Sequence, residues 1–360
     1  MCRANERGAT MQETVLVTGG SGFVASHLIL QLLEAGAHVH TTVRSLRNSA
    51  KIRPLTDMIA QYPGRLQLFE ADLLKEGSFD PAMQGCAVVF HVASPFKLPE
   101  KIKDGQTEMV EPALRGTDNV LGSVERTETV RRVVMTSTIG AIFGDYADVR
   151  EMKNNTVAEA YFNTSSNVRN NPYHYSKVLA EKAAWAKARQ QDRWDLVTIN
   201  PGMILGPSLT PASESGSLFL LDEMFKGYFF YGMPDLSLAC VDVRDVAAAH
   251  IRAAQNPAAK GRYIVSEDHT RTFLEIASIA RRVHPRPYLL PTWQIPDVIV
   301  RLVGPLFGLT QSYMTNHLGI RFALDNRRSR EELGIAYRPF TQTIADHYRS
   351  WESQRSKSKT

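Results

Sequence analysis

Tyr173 and Lys177 are the residues of this 360-residue chain whose types and spacing suggest chemistry most directly. They lie four positions apart in a helical pattern, so both side chains share one face of a helix. A lysine ammonium beside a phenol favours the phenolate and lowers the pKa of the tyrosine towards working pH. The pair therefore predicts a tyrosine that gives a proton to a carbonyl oxygen, or takes one back in the reverse direction.

Hydroxyl side chains precede this pair at the end of a predicted strand, in Thr136-Ser137-Thr138. A Tyr-x-x-x-Lys pattern by itself is frequent as a surface helix pair, and Tyr175 has the wrong spacing to Lys177 to take part. Together with the strand end and a glycine turn nearer the N-terminus, the pattern is poorly explained by chance.

A glycine-rich turn at Gly19, Gly20 and Gly22 follows a short apolar run at residues 15–17. An amphipathic helical pattern begins at Phe23, so strand, turn and helix are all present in order. Glycines let the backbone turn sharply and approach a pyrophosphate at the positive end of the helix. The segment predicts a dinucleotide-binding site.

The second predicted strand ends in Thr-Val-Arg at residues 42–44, where NAD-preferring folds usually carry Asp or Glu for the ribose 2′-hydroxyl. No acid is near in the sequence, whereas Arg44 and Lys51 could hold a 2′-phosphate. The alternative is that both are ordinary surface cations. The position at the end of the strand favours NADP.

Two further strand ends carry residues suited to a cofactor. Asp72 can accept a hydrogen bond from an adenine amino group while Leu73 packs against the ring; capping of a helix is the alternative, and both can hold at once. Small residues in the segment at 90–95 allow close backbone approach. His91, in that segment, is expected to be a core histidine.

The elements that must position these residues alternate between short apolar runs and helical patterns, as in a parallel α/β sheet. We predict strands at His38–Val43, Leu66–Glu70, 87–91, Arg132–Thr136 and 196–200, and helices at 22–35, 105–127 and 173–190. Short runs rich in Val and Ile indicate a sheet covered on both faces.

The second half of the chain has a less regular alternation of strand and helix patterns. Residues 201–238 are rich in Gly, Pro and Ser and predict loop plus a short helix; residues 241–254 predict strand then helix, 261–266 a strand, and 272–283 and 326–333 helices. We expect an α/β protein with a doubly wound Rossmann sheet and a smaller, discontinuous C-terminal substrate domain, and a return to the first sheet around Val241. The predicted division is 13–202 and 239–256 for the NADP-binding domain, 203–238 and 257–350 for the substrate-binding region, and 1–12 and 352–360 for flexible tails.

Composition narrows the function classes. The chain is 43% hydrophobic and 22% charged, with a net charge of +5 spread along its length, which disfavours nucleic-acid binding. Cys2, Cys86 and Cys240 have no metal-ligand spacing, so we expect no metal and a reduced, cytoplasmic setting. The N-terminus has no signal-peptide pattern. The most apolar stretch, 288–309, is interrupted by prolines and predicts a buried or lid-forming helix and no membrane partner.

Taken in order, these motifs resemble those of the extended short-chain dehydrogenase/reductase family. The branch that the chain most resembles contains dihydroflavonol-4-reductase, cinnamoyl-CoA reductase and yeast methylglyoxal reductase. The supporting segments are T-G-G-S-G-F-V-A at 18–25, T-V-R at 42–44, A-D-L-x-x-x-G-S-F-D at 71–80, F-H-V-A-S-P-F at 90–96, S-K-x-L-A-E-K-A-A-W at 176–185, N-P-G-M-I-L-G-P at 200–207, V-D-V-R-D-V-A-A-A-H at 241–250 and L-D-N-R-R-S-x-x-E-L-G at 324–334. The resemblance covers residues 14–351.

The resemblance implies a role for individual residues around NADP(H). Those expected to bind the cofactor are Gly19, Gly22, Phe23 and Val24 at the pyrophosphate, Arg44 and Lys51 at the 2′-phosphate, Asp72 and Leu73 at the adenine, Val92, Ala93 and Ser94 beneath the nicotinamide ribose, and Pro201, Gly202, Met203 and Ile204 at the nicotinamide amide. Tyr173 would donate the proton, and Lys177 would hold the ribose hydroxyls and depress the tyrosine pKa.

The chain departs from the family pattern at two positions. Relatives usually have Ser-Ser where this chain has Ser137-Thr138, so the hydroxyl that positions the carbonyl falls on Thr138, with Ser137 as the alternative. Threonine can make that hydrogen bond, although its methyl group narrows the rotamers. Ala25 stands in place of the third glycine, a change that affects only the tightness of helix packing.

The resemblance implies an NADPH-dependent oxidoreductase that reduces an aldehyde or ketone to an alcohol, as a monomer or homodimer. A nucleotide-sugar epimerase or dehydratase with bound NAD is one alternative; Arg44 and the absence of an acid after Thr138 argue against it. A catalytically inactive NADPH-binding regulator is another, and the intact Thr138, Tyr173 and Lys177 argue against it.

The substrate is expected to be medium-sized and partly apolar. Candidate lining residues are Phe96, Phe143, Tyr228, Phe229, Phe230, Tyr231 and Trp293. Most aromatics in such segments belong to a core, and the sequence does not select among carbonyl substrates.

Overall fold

The computed structural model describes residues 13–95, 97, 102–209 and 215–357, with the backbone alone for Lys357. Phe96, Cys2 and the predicted tail at 1–12 lie outside the described residues. The strands are β1 Thr14–Val17, β2 His38–Val43, β3 Leu66–Glu70, β4 Val88–His91, β5 Arg132–Thr136, β6 Thr156–Val157, β7 Asp195–Pro201, β8 Met203–Leu205, β9 Ser237–Leu238, β10 Cys240–Asp242, β11 Gly261–Val265, β12 Arg271–Thr272 and β13 Ala323–Leu324.

The helices follow the strands in an alternating order through the first half of the chain. They are α1 Phe23–Glu34, α2 Ser49–Gln61, α3 Asp80–Met83, α4 Glu111–Arg126, α5 Pro172–Ala188, α6 Gly216–Lys226, α7 Val243–Gln255, α8 Phe273–Ala280, α9 Asp297–Val303, α10 Gln311–His317, α11 Arg327–Glu331 and α12 Phe340–Lys357. Short turns of 3-10 helix lie at Ile139–Ala141, Tyr146–Glu151, Lys153–Asn155, Pro287–Leu289 and Gly304–Phe307, and a π-helical turn at Gln106–Val110 leads into α4.

A seven-stranded sheet in the order β11-β7-β5-β4-β1-β2-β3 forms the centre, and every neighbouring pair in it is parallel. Side chains alternate between its faces. Val15 and Val17 pack with α1, α2 and α7, whereas Leu16, between them, packs with α3, α4 and α5. The predicted doubly wound sheet, covered on both faces, is confirmed.

β1 has β2 on one side and β4 on the other, so the chain changes direction across the sheet at β1. In an open parallel sheet, ligands bind outside the carboxyl ends of the strands at such a switch point. The glycine turn and residues 92–94 follow β1 and β4, and therefore lie at this edge.

The strand predicted near Val241 does not join the central sheet. β10 pairs with β8 in a separate two-stranded sheet, although α7, which follows, does pack against α1. The chain returns to the central sheet at β11, which pairs with β7. Gly261–Val265, placed by the predicted division in the substrate-binding region, is thus an edge strand of the central sheet.

The last helix of the described chain is longer than the prediction allowed. α12 runs to Lys357, into the stretch 352–360 predicted as a tail, because Tyr348 and Trp351 pack against Phe225 and Gln354 donates a hydrogen bond to the Ser208 carbonyl at 2.9 Å.

The stretch predicted as one buried or lid-forming helix contains instead α9 and a 3-10 turn, and residues 290–296 separate these from Pro287–Leu289. Val298, Leu302 and Leu306 are 77, 78 and 85% exposed, so this face of the segment is not buried. Prolines interrupt the helical hydrogen bonds, which prevents a single long helix. Among the described residues, no helix combines the length and apolar character that crossing a bilayer requires.

Candidate active site

The glycine turn after β1 is shaped for close approach. Gly19 has φ = 73°, its N–H donates to Thr42 Oγ1 at 3.2 Å, and a Cβ placed there would lie 3.0 Å from the Cβ of Ala93. α1 begins at Phe23 after Gly22, which has no side chain to cap the helix. The first N–H groups of α1 therefore keep their capacity to bind an anion. The structure thus brings Gly19, Gly22, Phe23 and Ala93 together.

Thr18 fixes the segment that faces this turn, a role that sequence reasoning missed. Its hydroxyl oxygen accepts hydrogen bonds from the N–H groups of Val92 and Ala93 at 3.0 and 2.9 Å, and lies 3.3 Å from Nδ1 of His91. Burial lowers the pKa of His91 to about 3, with Lys177 as a further cause. His91 is therefore neutral and belongs to the core, as predicted.

A small cavity connects the ends of several strands with α5. Its lining includes Leu73 after β3, Ala93 and Ser94 after β4, Thr136 at the end of β5, and Lys177 on α5. Five residues that the sequence analysis singled out in separate motifs therefore surround one space. That space opens beside the glycine turn, because Ala93 contacts both.

Arg44 and Lys51 lie on either side of a short loop between β2 and α2. Arg44 is exposed and Lys51 is half-buried in the first turn of α2, which Asn48 caps by accepting the Lys51 N–H at 3.2 Å. An acid does lie near in space: Glu70 Oε1 accepts the Leu46 N–H at 2.7 Å, because Glu70 is the register partner of Val43. This carboxylate is far from Arg44 in sequence, so the sequence analysis did not find it. Its hydrogen bond holds the loop after β2.

Asp72 is exposed, and its Oδ1 accepts the Leu74 N–H at 2.8 Å. It therefore caps a turn, rather than a helix, and its carboxylate remains open to solvent. Leu73 packs against α4 at Gly116, where a Cβ would lie 3.2 Å from the Leu73 side chain.

Tyr173 and Lys177 are placed by the start of α5. Asn171 caps the helix by accepting the His174 N–H at 3.0 Å, and Pro172 occupies its first position. Tyr173 is half-buried and Lys177 is buried. The helix confirms that the two lie one turn apart.

The predicted direction of the tyrosine pKa is wrong for this structure. Burial raises the pKa of Tyr173 to about 12, and burial lowers the pKa of Lys177 to about 8 against an opposing effect of Glu181. The prediction rested on the lysine charge alone, whereas desolvation acts on both groups in the folded protein. At neutral pH the phenol keeps its proton and the lysine is mostly charged.

The two hydroxyls after β5 have different partners. Ser137 is buried and donates to the Glu181 carboxylate in a short hydrogen bond. Thr138 is half-buried, and its Oγ1 accepts the Gly140 N–H at 3.1 Å, which leaves its proton available to a ligand. This geometry favours Thr138 over Ser137 for positioning a carbonyl.

The segment after β7 follows the same edge of the sheet. Gly202 N–H donates to the Val265 carbonyl at 3.2 Å, Met203 N–H to the Ala239 carbonyl at 2.6 Å, and a Cβ at Gly202 would lie 2.4 Å from that carbonyl oxygen. Pro201 is buried at the strand end, while Met203 and Ile204 are half-buried. Their backbone is thus held close to the crevice.

The aromatic candidates for substrate contact separate into two groups. Phe143 is buried and packs against the rings of Tyr146 and Phe322, so it belongs to a core cluster. Tyr228, Phe230, Tyr231 and Trp293 are exposed, and Phe229 is partly buried against the cluster beneath α12. Within the described ranges, no group of three or more His, Cys, Asp or Glu side chains is arranged to hold a metal ion.

A model of the NAD dependent epimerase/dehydratase family matches residues 15–266. The cinnamoyl-CoA reductase CAD2 of Medicago truncatula is 38% identical over 309 residues, covering 82% of this chain and 91% of that protein. The bifunctional dihydroflavonol 4-reductase/flavanone 4-reductase of Malus domestica is 35% identical over 280 residues, covering 78% of each.

Among solved structures, Gre2 from Candida albicans in complex with NADPH superimposes with a TM-score of 0.76 at 29% identity, covering 95% of this chain and 99% of that one. These similarities confirm the family resemblance and the fold predicted from the motifs.

Proposed function

Since this chain belongs to the NAD dependent epimerase/dehydratase family of extended short-chain dehydrogenases/reductases, we propose that it is an NADPH-dependent reductase that converts an aldehyde or ketone into an alcohol. The observation that carries the proposal is the meeting of Lys177, Ser94 and Ala93 around one cavity beside the glycine turn, with Tyr173 one helical turn before Lys177.

The residues at the strand ends fit a dinucleotide. A side chain at Gly19 would fill the approach to Ala93, and the first turn of α1 presents N–H groups without a side-chain cap. Gly22, Phe23 and Val24 would hold the pyrophosphate there. When bound, NADPH supplies the hydride for the carbonyl carbon.

The remaining cofactor contacts follow the same edge. Arg44 and Lys51 would hold the 2′-phosphate. The other proposed contacts are Asp72 and Leu73 at the adenine, Val92, Ala93 and Ser94 at the nicotinamide ribose, and Pro201, Gly202, Met203 and Ile204 at the nicotinamide amide.

Tyr173 is the proposed proton donor to the carbonyl oxygen. Because burial raises its pKa to about 12, the phenol carries its proton throughout the neutral range and can deliver it as negative charge develops on that oxygen. Thr138 would donate a second hydrogen bond to the same oxygen, and Lys177 would hold the ribose hydroxyls with its ammonium. These roles serve the reduction, whereas the reverse reaction needs the phenolate.

The substrate proposed is a medium-sized, partly apolar carbonyl compound. Tyr228, Phe229, Tyr231 and Trp293 supply aromatic surface in the C-terminal part. We place the protein in the cytoplasm as a monomer or homodimer, without nucleic-acid or membrane partners. The buried free thiols of Cys86 and Cys240 and the dispersed net charge support that setting.

A nucleotide-sugar epimerase or dehydratase on the same fold is less well supported. Ile139, Gly140 and Ala141 follow Thr138, so the acid that dehydratases place there is missing. An inactive NADPH-binding regulator would have no use for the Thr138, Tyr173 and Lys177 set.

The deciding experiment measures NADPH and NADH consumption with a panel of aldehydes, α-keto esters and aryl ketones. NADPH-dependent turnover is expected, and Tyr173→Phe is expected to abolish it while NADPH still binds. Arg44→Ala is expected to reduce the preference for NADPH over NADH, whereas Arg47→Ala, an exposed cation of the same loop, serves as the matched control. No turnover with either cofactor, together with tightly bound NAD in the purified protein, would replace the reductase proposal by the sugar-nucleotide one.

A further inference from the structure

Glu181 is a fully buried carboxylate on α5, one helical turn beyond Lys177. Its Oε2 accepts hydrogen bonds from the Ser137 hydroxyl and from Asn200 Nδ2, the latter at 3.0 Å. Its Oε1 accepts from Arg262 Nε at 2.6 Å. A buried charge persists only when its hydrogen-bonding capacity is met, and these donors meet it.

These partners come from separate parts of the central sheet. Ser137 follows β5, Asn200 lies near the end of β7, and Arg262 lies on β11. Asn200 Nδ2 also donates to the Thr138 carbonyl at 3.1 Å, so one amide joins Glu181 to the residue proposed to orient the substrate. The carboxylate therefore connects α5 to the ends of two strands and to the edge strand.

Arg262 extends the same network around Thr138. Its Nη2 donates to the Ala141 carbonyl at 3.3 Å, at the end of the short turn that begins with Thr138, and its Nη1 donates to the Glu159 carbonyl at 2.9 Å. Arg262 is 7% exposed, so it neutralises the carboxylate away from solvent.

We propose that Glu181 is a positioning residue for carbonyl reduction, which holds the Thr138 strand end against α5, the helix that carries Lys177. The proposal rests on the function proposed above. Glu181 acts on Thr138 through Ser137 and Asn200, and on Lys177 through its charge. It commits the Ser137 hydroxyl to itself, which leaves the threonine hydroxyl as the donor to the substrate.

The effect on Lys177 is electrostatic. Burial lowers the pKa of Lys177 to about 8, and the Glu181 charge opposes that shift. Two further titratable groups, Tyr173 on the same helix and His91 on β4, are uncharged at neutral pH. The Glu181 carboxylate therefore helps to keep the ammonium charged at neutral pH.

A purely structural ion pair is the competing interpretation. Asp245 on α7 provides the comparison, because it is a buried carboxylate that is paired with Arg338 and lies away from Lys177. Loss of either acid should weaken the fold, since each loss leaves the arginine partner without its counter-charge. Only the loss of Glu181 should change the chemistry.

The test compares Glu181→Gln with Asp245→Asn in the full chain, after the wild type has been assigned a carbonyl substrate. For Glu181→Gln we expect kcat to fall about tenfold or more, because small displacements of catalytic groups are costly. The alkaline midpoint of NADPH binding, followed by cofactor fluorescence, should move down by about one pH unit. Asp245→Asn should lower the thermal midpoint and leave kcat and the alkaline midpoint unchanged.

Ser137→Ala keeps the test decisive if Glu181→Gln does not fold, since it removes only one donor. It should lower kcat several-fold and leave the alkaline midpoint unchanged, because the Glu181 charge remains. The proposal is overturned if Glu181→Gln keeps the wild-type kcat and alkaline midpoint, or if Ser137→Ala, used in its place, keeps the wild-type kcat. A wild type without turnover on any carbonyl would instead contradict the proposed function, while the pH dependence of NADPH binding would still test Glu181.

Discussion

Thr138 and Ser137 are adjacent hydroxyls that the structure assigns to different partners. The Ser137 hydroxyl donates a hydrogen bond to Glu181, whereas Thr138 Oγ1 accepts one from the Gly140 N–H, so the hydroxyl hydrogen of Thr138 remains available to a ligand. We expect Thr138→Val to lower kcat by about 10²–10³, the usual effect of removing one donor to a developing oxyanion. Thr138→Ser, which restores the hydroxyl, should stay near wild type. Steady-state kinetics on the best carbonyl substrate measures both, and a larger loss in Ser137→Ala than in Thr138→Val would reverse the assignment.

A second prediction concerns how the charge of Lys177 changes the stability of the fold with pH. Its pKa falls from 10.5 to about 8 on folding because of burial, so between these values the unfolded chain binds a proton that the folded chain has released. Stability must then rise with pH through that window. The gain relative to a Lys177→Met variant should reach about 3 kcal/mol by the top of the window.

Urea unfolding of both proteins from pH 7 to pH 10.5 measures this difference. Below about pH 8 the lysine is protonated in both states and should add no pH dependence. A difference between the two proteins that stays flat across the window would mean that Lys177 is not desolvated as described. The activity of the wild type is expected to fall with pH through the same window, because the neutral amine of Lys177 no longer holds the ribose hydroxyls as the ammonium would.

Among the secondary-structure elements, the short turn Ile139–Ala141 packs closely against the start of α5. A Cβ at Gly140 would lie 2.4 Å from Cδ2 of His174, the neighbour of Tyr173. Gly140→Ala should therefore displace both catalytic hydroxyls, lowering kcat about tenfold or more and stability by about 1–3 kcal/mol.

Gly122→Ala is the matched control for that substitution. Gly122 lies inside α4, and its added Cβ would meet only the flexible end of Arg126, at 3.4 Å. Kinetics and urea unfolding should show unchanged kcat and a gain of roughly 0.5–1 kcal/mol from helix propensity. Wild-type kcat in Gly140→Ala would show that the turn yields without moving Thr138 or Tyr173.

The elements that were predicted best are those with a strong local pattern. β2, β3 and β5 begin and end at the predicted residues, since each is a short run with an arginine directly before or after it. α12 was missed although its buried positions, Phe340, Ile344 and Tyr348, recur every four residues. The polar residues between them masked that period.

In the candidate site, too, the features that have a local sequence pattern were predicted and the others were not. Glycine spacing and Tyr-x-x-x-Lys are local patterns, and the structure brings Gly19, Ala93 and Lys177 to one edge of the sheet. The tyrosine pKa, the proximity of Glu70 to the end of β2, and the partners of Glu181 depend on burial and on residues far apart in sequence. Such features require the packed structure, because desolvation and strand register have no local signature.

Across the protein, α12 connects the C-terminal part, from α8 onwards, to β8, which follows the strand end proposed to contact the cofactor. Ile344 is fully buried in a cluster with Leu205, at the end of β8, and with α6 and α8. Ile344→Ala should cost about 2–5 kcal/mol of stability, because the cavity lies in a packed core. It removes no group that faces the strand ends of the central sheet.

The same variant tests whether the two parts unfold together. If they do, NADPH at about 100 times its Kd should raise the free energy of unfolding by about 2.7 kcal/mol in both wild type and Ile344→Ala, in a single transition. Urea unfolding with and without NADPH, followed by tryptophan fluorescence and circular dichroism, gives that comparison. Separate transitions, with NADPH stabilising only one of them, would show that the C-terminal part opens while the cofactor edge stays folded.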